Sequence, residues 1–577
     1  MKLKKENKYY LWLIIILLVA FVLRFYRLGT LLPLFGDEVD NGYNAYSILK
    51  TGKDVTGHFF PIFLKTLIDT KSSLLAYFAT IPIYFLGLNE ISIRLIPALS
   101  GLMVVFLVFL IVNKLSENKI AALITSFLVA VTPWAIHFSR GAFEANLMVF
   151  LLLLGIYLFL LATKRKIFLL LSALALALSL YAYHAAKILA PLIIIGLCFF
   201  FKDQLKNLGK KNLVWGSIIF VLVSLPILYA SFFGSGQQRF SEVSLFRDNK
   251  VIDQIVTKRQ ADVDLSLPSR FFHNKGEAYF QKMAANYFES FSPQFLFLYG
   301  DLNFRHSSGG NGELYLLLLP FFLIGLFSFF KERKKYQKFL IYLMLIAPLP
   351  SVITKDGGQH AIRLLFLMPI ILMIIAFGFI QFFLWLKKNL KQNWLKIFVY
   401  VFLILFFIFN FVFYLHQYFW HYPKESWRYW AYGYQQAMLK MKNWENDYDL
   451  VIINNSYEPS ILWFLFWTKY DPQKLIGTDI QHHVQENIIS GANGFYLGKY
   501  LFIKPNNLEW RYRDLTQIFK GKQKVLFLAS AREDTAGDKD LREYPPKGVK
   551  VIDVVTSPEG QPIFYFLAKD DDARLLK

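Results

Sequence analysis

The chain has 577 residues, of which 55% are hydrophobic and 18% aromatic. That is too apolar for a soluble protein of this length and points to many membrane spans. The net charge of +22 does not mark a nucleic-acid binder, because residues 421–577 carry 21 Lys/Arg against 20 Asp/Glu. The excess sits in short clusters between apolar runs of the first 420 residues, as expected of basic segments that flank spans and set topology. The one cysteine, Cys198, lies inside an apolar run, which excludes a disulfide framework or a cysteine-based metal site within one chain.

The N-terminus has a basic start and an apolar stretch from Tyr9 to Leu28. It lacks a small-x-small cleavage site and ends in Arg24-Phe25-Tyr26-Arg27. It reads as a retained first span. A helix needs roughly 20 apolar residues to cross the bilayer. Such runs lie near 9–28, 95–113, 120–138, 143–162, 167–183, 188–201, 213–232, 313–330, 339–354, 361–386 and 397–417, which makes eleven. A further run, Ser73 to Gly87, decides the topology. Without it, and with the N-terminus inside, segments 1–8, 114–119, 163–166, 202–212, 331–338 and 387–396 face the cytoplasm and hold 22 Lys/Arg. Counting it as a span inverts nearly all of them, against the positive-inside rule. It is therefore read as an amphipathic or re-entrant helix at the outer interface.

The expected fold is a polytopic α-helical membrane protein with about eleven spans. Residues 1–417 form the transmembrane part and 418–577 a small α/β domain outside the membrane. Two long outside segments, 29–94 and 233–311, interrupt the spans; a connection as long as the second one usually carries function. In the C-terminal part Leu450–Asn454, Tyr500–Ile503, Val525–Ala529, Val549–Val555 and Pro562–Leu567 read as strands, with helices over Glu458–Lys469 and Asn507–Phe519.

Asp37-Glu38 follows Gly36 just after the first span. An Asp before a helical run is also a good N-cap, and that reading stands beside a catalytic one. Glu144 follows Arg140 by four residues at the outer start of the fourth span, a spacing that equally suits a helical ion pair. His184 and Lys187 occupy the outer turn between spans five and six, and His360 and Arg363 begin the tenth span on the same side. Charged groups near membrane depth are costly and mark functional cavities. Carboxylates and cations converging there suit transfer of a sugar from a lipid-linked phosphate. A carboxylate accepts the proton of the incoming hydroxyl, and cations stabilise the phosphate as it leaves. The sugar carbon passes through an oxocarbenium-like state that a carboxylate also favours. No Walker-type loop or dinucleotide fingerprint is present. Asp301, Arg305 and His306 precede Gly309-Gly310-Asn311-Gly312; this stretch reads as a flexible lead-in to the eighth span or as a lid or acceptor-contacting loop. Trp420, Trp427, Trp430, Trp463 and Trp467 read as interfacial or core residues, with a sugar-stacking face as the sharper alternative.

The sequence resembles the GT-C glycosyltransferases, in particular the protein O-mannosyltransferase and aminoarabinose-transferase-like superfamily. The resemblance is carried by Leu23-Arg24-Phe25-Tyr26-Arg27-Leu28, Gly36-Asp37-Glu38, Leu88-Asn89-Glu90 through Arg94-Leu95-Ile96-Pro97-Ala98-Leu99, Pro133 to Glu144 and His360 to Pro369. It implies that Asp37 is the catalytic base, that Glu38 assists and that Glu144 is the second acidic residue. From their own positions, and not from the resemblance, Arg140, His184, Lys187, His360 and Arg363 are read as the expected donor-phosphate ligands, and Asp301, Arg305 and His306 as the acceptor or lid loop. The expected activity is inverting transfer of a monosaccharide from a polyprenyl-phosphate donor to an envelope glycan, lipid or protein, at the outer face of a prokaryotic plasma membrane. No counterpart of the C-terminal domain or of a lectin-like insert is recognised. The resemblance implies metal independence, whereas Asp37 and Glu38 as oxygen ligands suit Mg²⁺ or Mn²⁺. Competing readings are a transporter or flippase of lipid-linked sugars, which usually shows paired repeats, and a nonenzymatic envelope assembly protein whose cations bind anionic lipid.

Overall fold

The computed structural model describes residues 2–67, 70–234, 242–262, 267–456, 458–478, 484–507, 510, 514–519, 521, 524–535 and 540–570; side chains are described except at 2–6 and 267–269. Nine helices open the bundle and its first loop. They are α1 (Lys2–Phe25), α2 (Gly36–Thr51), α3 (Leu74–Leu86), α4 (Glu90–Ser116), α5 (Lys119–Val131), α6 (Pro133–Arg140), α7 (Glu144–Leu161), α8 (Ile167–Ala182) and α9 (Ala186–Phe200). They are followed by α10 (Lys202–Leu208) and α11 (Lys210–Phe233). Local chemistry explains the boundaries. Asn89 caps α4 by accepting from the Ser92 N–H at 3.0 Å, and Asn118 caps α5 by accepting from the Ile120 and Ala121 N–H groups. Pro133 cannot donate into the α5 ladder, and the chain bends by 55° between α5 and α6.

Among the described residues, six helices are long and apolar enough to cross a membrane, or eight if the bent pairs α5–α6 and α9–α10 each count once. Six of the expected runs correspond to α1, α4, α7, α11, Leu367–Asn389 and the helix that starts at Asn393, and two more to the bent pairs. The other three are short: α8 has 16 residues, Leu318–Glu332 has 15 and Lys335–Ile346 has 12. The Ser73–Gly87 run is the 13-residue α3, about 20 Å long at 1.5 Å per residue against a core of about 30 Å. It packs on α2 and α4.

The bundle core holds α1, α4, α5, α7 and Leu367–Asn389 together. Buried Arg24 ties α1 to α5 through the carbonyls of Val129 and Ala130, at 3.1 and 3.0 Å. At one end of the bundle gather the first loop, the α6–α7 turn, the α8–α9 turn, residues 300–313 and residues 353–362. In the first loop β1 (Phe63–Lys65) pairs antiparallel with β2 (Thr70–Ser72).

The C-terminal part is a seven-stranded mixed sheet in the order β4-β5-β6-β3-β7-β9-β8. The strands are β3 (Leu450–Asn454), β4 (Gln485–Ile489), β5 (Ala492–Leu497), β6 (Tyr500–Pro505), β7 (Val525–Ser530), β8 (Val549–Thr556) and β9 (Pro562–Lys569). The five expected strands are present; the β4–β5 hairpin, interrupted by Asn and Gly, was not foreseen. The expected helix over Glu458–Lys469 is Ser460–Thr468. Of the run Asn507–Phe519, the described part includes a single 3₁₀ stretch, Leu515–Phe519, and residues 508–509 and 511–513 lie outside the described residues. Side chains alternate across the sheet with period two. Val451, Ile453, Leu526, Leu528, Phe564 and Phe566 face a core shared with α2 and α3, while Ile452, Phe527, Tyr565 and Leu567 face the opposite side. The sheet therefore seats on the first loop.

Candidate active site

Helix α2 carries Asp37, Asp40, Asn41 and Asn44 at spacings of i, i+3, i+4 and i+7, which places them on one face. The β1–β2 hairpin lays Lys71 across that face. Its ammonium lies 2.8 Å from Asp37 and 2.8 Å from Asp40. Asp37 is 60% exposed, whereas Asp40 is buried. Burial raises the Asp40 carboxyl above its usual range, partly offset by Lys71. Burial works against the Lys71 charge, but the two carboxylates outweigh it and hold the ammonium above its ordinary value. Asn44 donates to Asp40 at 3.1 Å, and Asn41 donates to Glu144 at 2.9 Å. Glu144 thus joins the same helix face.

Glu38 points the other way and is fully buried. The Arg94 guanidinium donates to it twice, each bond 2.7 Å. The Ala142 N–H also donates to Glu38, at 2.7 Å. The remaining Arg94 donors reach the carbonyls of Leu28, Leu32 and Pro33. This bidentate, charge-assisted pair clamps the end of the first span, α4 and the α6–α7 turn together. Both oxygens of Glu38, expected from the sequence to assist catalysis, are thus engaged by Arg94 and the Ala142 N–H. For the same reason Asp37 and Glu38 do not offer two carboxylates to one Mg²⁺ or Mn²⁺.

Arg140 and Glu144 belong to separate helices, α6 and α7, so one-helix pairing is not their geometry. Arg140 donates to the carbonyls of Leu23, Arg24, Tyr26 and Arg27 and packs over the rings of Tyr418 and Phe419. It closes the end of α1 instead of presenting its fork to a phosphate. His184 and Lys187 do sit together: the Lys187 ammonium is 3.2 Å from His184 Nδ1 and 4.5 Å from the Phe63 ring centre. Phe63 belongs to the hairpin that carries Lys71, and it stacks on His184. One hairpin thereby joins the carboxylate face to this cation pair.

Residues 300–313 are ordered by their own turns and by contacts. Gly300, Gly309 and Gly310 adopt positive φ. Arg305 receives a hydrogen bond at its carbonyl from the His137 ring at 2.8 Å, and its guanidinium lies 5.1 Å from the centre of the Phe35 ring and 3.4 Å from Glu458. Glu458 comes from the C-terminal domain and stands over Gly36, where an added Cβ would meet its Oε2 at 2.9 Å. Burial raises the Glu458 carboxyl, with Arg305 working against the shift. Asp301 accepts from the His306 ring at 3.1 Å, and the His306 and His360 rings lie 4.8 Å apart. Arg363 donates to Thr354 at 2.8 Å. His360 thus lies beside Asp301 and His306, and Arg363 beside Thr354.

Asp40, Lys71, Arg94 and Glu458 were missed in the sequence. The polar stripe at 37, 40, 41 and 44 was a legible signal for Asp40. Lys71 and Glu458 lie in separate loops, and nothing local announces where they meet. Of the tryptophans, Trp430 and Trp463 are core residues. Trp427 lines a cleft of about 660 Å³ in the C-terminal domain, together with Tyr432, Arg532 and Asp540. Asp37 does not line that cleft.

The class defined by this arrangement is a helical membrane protein with a carboxylate site under an outlying sheet domain. Residues 14–235 match the dolichyl-phosphate-mannose-protein mannosyltransferase family, and over that stretch, which contains Asp37, Lys71 and Glu144, the chain carries the GT-C glycosyltransferase resemblance read from its sequence. No curated protein sequence matches the chain. Among solved structures, oligosaccharyltransferase AglB from Archaeoglobus fulgidus, held with an inhibitory peptide and a dolichol-phosphate, is similar at 15% identity and a TM-score of 0.46, covering 80% of this chain and 64% of its own. The chain thus spans under two thirds of that relative. ArnT from Cupriavidus metallidurans bound to undecaprenyl phosphate is similar at 11% identity and a TM-score of 0.44, covering 97% and 98%.

Proposed function

We propose that the chain transfers a monosaccharide, with inversion, from a polyprenyl-phosphate donor to a hydroxyl of a cell-envelope acceptor, on the outer face of the membrane. One observation carries this reading. Inside the stretch that matches the dolichyl-phosphate-mannose-protein mannosyltransferase family, an exposed carboxylate, Asp37, is fixed by Lys71 on the hairpin that also reaches Lys187 and His184.

In this reading Asp37 is the base. The acceptor oxygen attacks the anomeric carbon as the bond from that carbon to the phosphate oxygen breaks. Asp37 takes the hydroxyl proton, worth about 10²–10⁴-fold in rate. The lipid phosphate leaves with the bonding electrons, and Lys187 with His184 stabilises it electrostatically. Lys71 keeps the Asp37 carboxylate in place, and Glu144 orients α2 through Asn41. Arg305 and Glu458 border the site from the C-terminal side and face the acceptor. One displacement inverts the anomeric centre. The spans number eleven in this reading, the three short helices being completed by their flanking turns, and the basic clusters face the cytoplasm.

The test is reconstitution of the full chain in liposomes with polyprenyl-phosphate sugars and envelope extracts. Transfer by the wild type and none by Asp37→Asn, inserted equally well, is the expected outcome. Translocation of the lipid-linked sugar without any transfer would instead favour a flippase.

A further inference from the structure

Among the described residues, Asp301, His306 and His360 are the group whose ligand atoms, one carboxylate oxygen and two imidazole nitrogens, all lie within 4.8 Å of one another. They come from two segments separated in sequence by the helices Leu318–Glu332 and Lys335–Ile346. We propose that they form a binding site for a transition-metal dication of the Zn²⁺ type, which pins the 300–313 loop to the turn before Leu367–Asn389.

The geometry suits such an ion. Two ligands of a tetrahedral zinc, each about 2.0–2.2 Å from the metal, stand roughly 3.3 Å apart. Asp301 Oδ2 and His306 Nδ1 are 3.1 Å apart. His360 Nδ1 is buried and has no hydrogen-bond partner in the protein, and leaving such an atom unsatisfied is costly. Asp301 Oδ2 also accepts from the Ala361 N–H at 2.9 Å, and the Asp301 N–H donates to buried Glu313 at 3.1 Å. The first is an outer contact of the kind that orients a ligating carboxylate, and the second fixes the backbone that carries it. Two imidazoles and one carboxylate favour Zn²⁺ and its neighbours over Mg²⁺ or Ca²⁺, which prefer oxygen alone. The set shares no residue with the Asp37-Glu38 pair.

The consequence concerns Arg305, the residue before His306. Its carbonyl receives His137 and its guanidinium reaches Glu458. An ion on His306 and His360 fixes the backbone from which Arg305 spans to the C-terminal domain. Three protein ligands leave a fourth position for water or an anion. The inference stands independently of the glycosyl-transfer reading.

The test uses the full-length chain without a histidine tag, in detergent, stripped with EDTA and then dialysed against Zn²⁺. Elemental analysis should find about one Zn²⁺ retained per chain, and Zn²⁺ should raise the thermal midpoint, as any ligand of the folded state does. His306→Ala/His360→Ala and Asp301→Asn should weaken retention at least ~10-fold. His416→Ala/His421→Ala, which removes a second close histidine pair among the described residues, should retain Zn²⁺ like the wild type. A measurement on the wild type alone guards against variants that do not fold: Zn²⁺ should protect His306 and His360 from diethylpyrocarbonate, read by mass spectrometry. No retention by the wild type, equal retention by the double variant, or equal modification with and without Zn²⁺ overturns the proposal.

Discussion

Asp37 and Glu38 are neighbours in sequence and members of two different charge clusters. Asp37, itself exposed, shares Lys71 with buried Asp40 on one face of α2. Glu38 shares Arg94 with backbone carbonyls in a site closed to solvent. Successive residues of a helix point about 100° apart, as 3.6 residues per turn requires, and here that rotation separates chemistry from architecture. An acidic pair is therefore not one structural unit: Asp37 is exposed, while Glu38 is buried against Arg94.

The largest stability effect should fall on the buried cluster. Glu38→Ala leaves the Arg94 charge uncompensated in the interior, which costs about 3–5 kcal/mol; thermal unfolding of the detergent-solubilised chain checks this, and a change under ~1 kcal/mol would mean that the clamp carries little. Lys71→Met should follow. It strands buried Asp40, costs roughly 1–3 kcal/mol and lowers transfer. Adding Asp40→Asn to Lys71→Met should restore much of the stability and none of the transfer, which separates the two roles of that lysine in a double-variant cycle. Lys187→Ala should reduce turnover about 10–100-fold through the leaving phosphate while leaving the midpoint nearly unchanged. The smallest effect lies far from both clusters. Asp534 is buried in the C-terminal domain, where burial raises its carboxyl to about 6. Its folded-state value exceeds the unfolded one, so the folded chain binds more protons between about pH 4 and 6. Its contribution to stability is therefore fully present below that window and declines as pH rises through it. Asp534→Asn should flatten this pH dependence in melts of the intact chain.

Much of the architecture was legible. Apolar runs gave the long helices, and alternating or apolar short runs gave five strands of the sheet, because both patterns are local. Three runs read as spans correspond to helices of 12–16 residues, since hydropathy does not register where turns such as the one before Leu367 begin. The site was legible in part. Asp37 announced itself by its place after the first span. The burial of Glu38 was not legible, because its partner, Arg94, lies 56 residues away. Arg140 looked like a phosphate ligand, yet it is consumed by the carbonyls that end α1, a demand that a charge census does not reveal. Glu458 reaches Gly36 from the far end of the chain, a contact set by how the sheet seats on the first loop.

The contrast between the two clusters is tested most directly by turnover per folded molecule. Asp37→Asn and Glu38→Gln are reconstituted side by side and assayed with a polyprenyl-phosphate sugar at a temperature where circular dichroism shows both folded. The account predicts that Asp37→Asn keeps the wild-type midpoint and loses at least ~10²-fold in transfer. It predicts that Glu38→Gln melts earlier and retains transfer within about 10-fold of the wild type. Wild-type turnover by Asp37→Asn, or a loss in Glu38→Gln as large as that in Asp37→Asn, would contradict it.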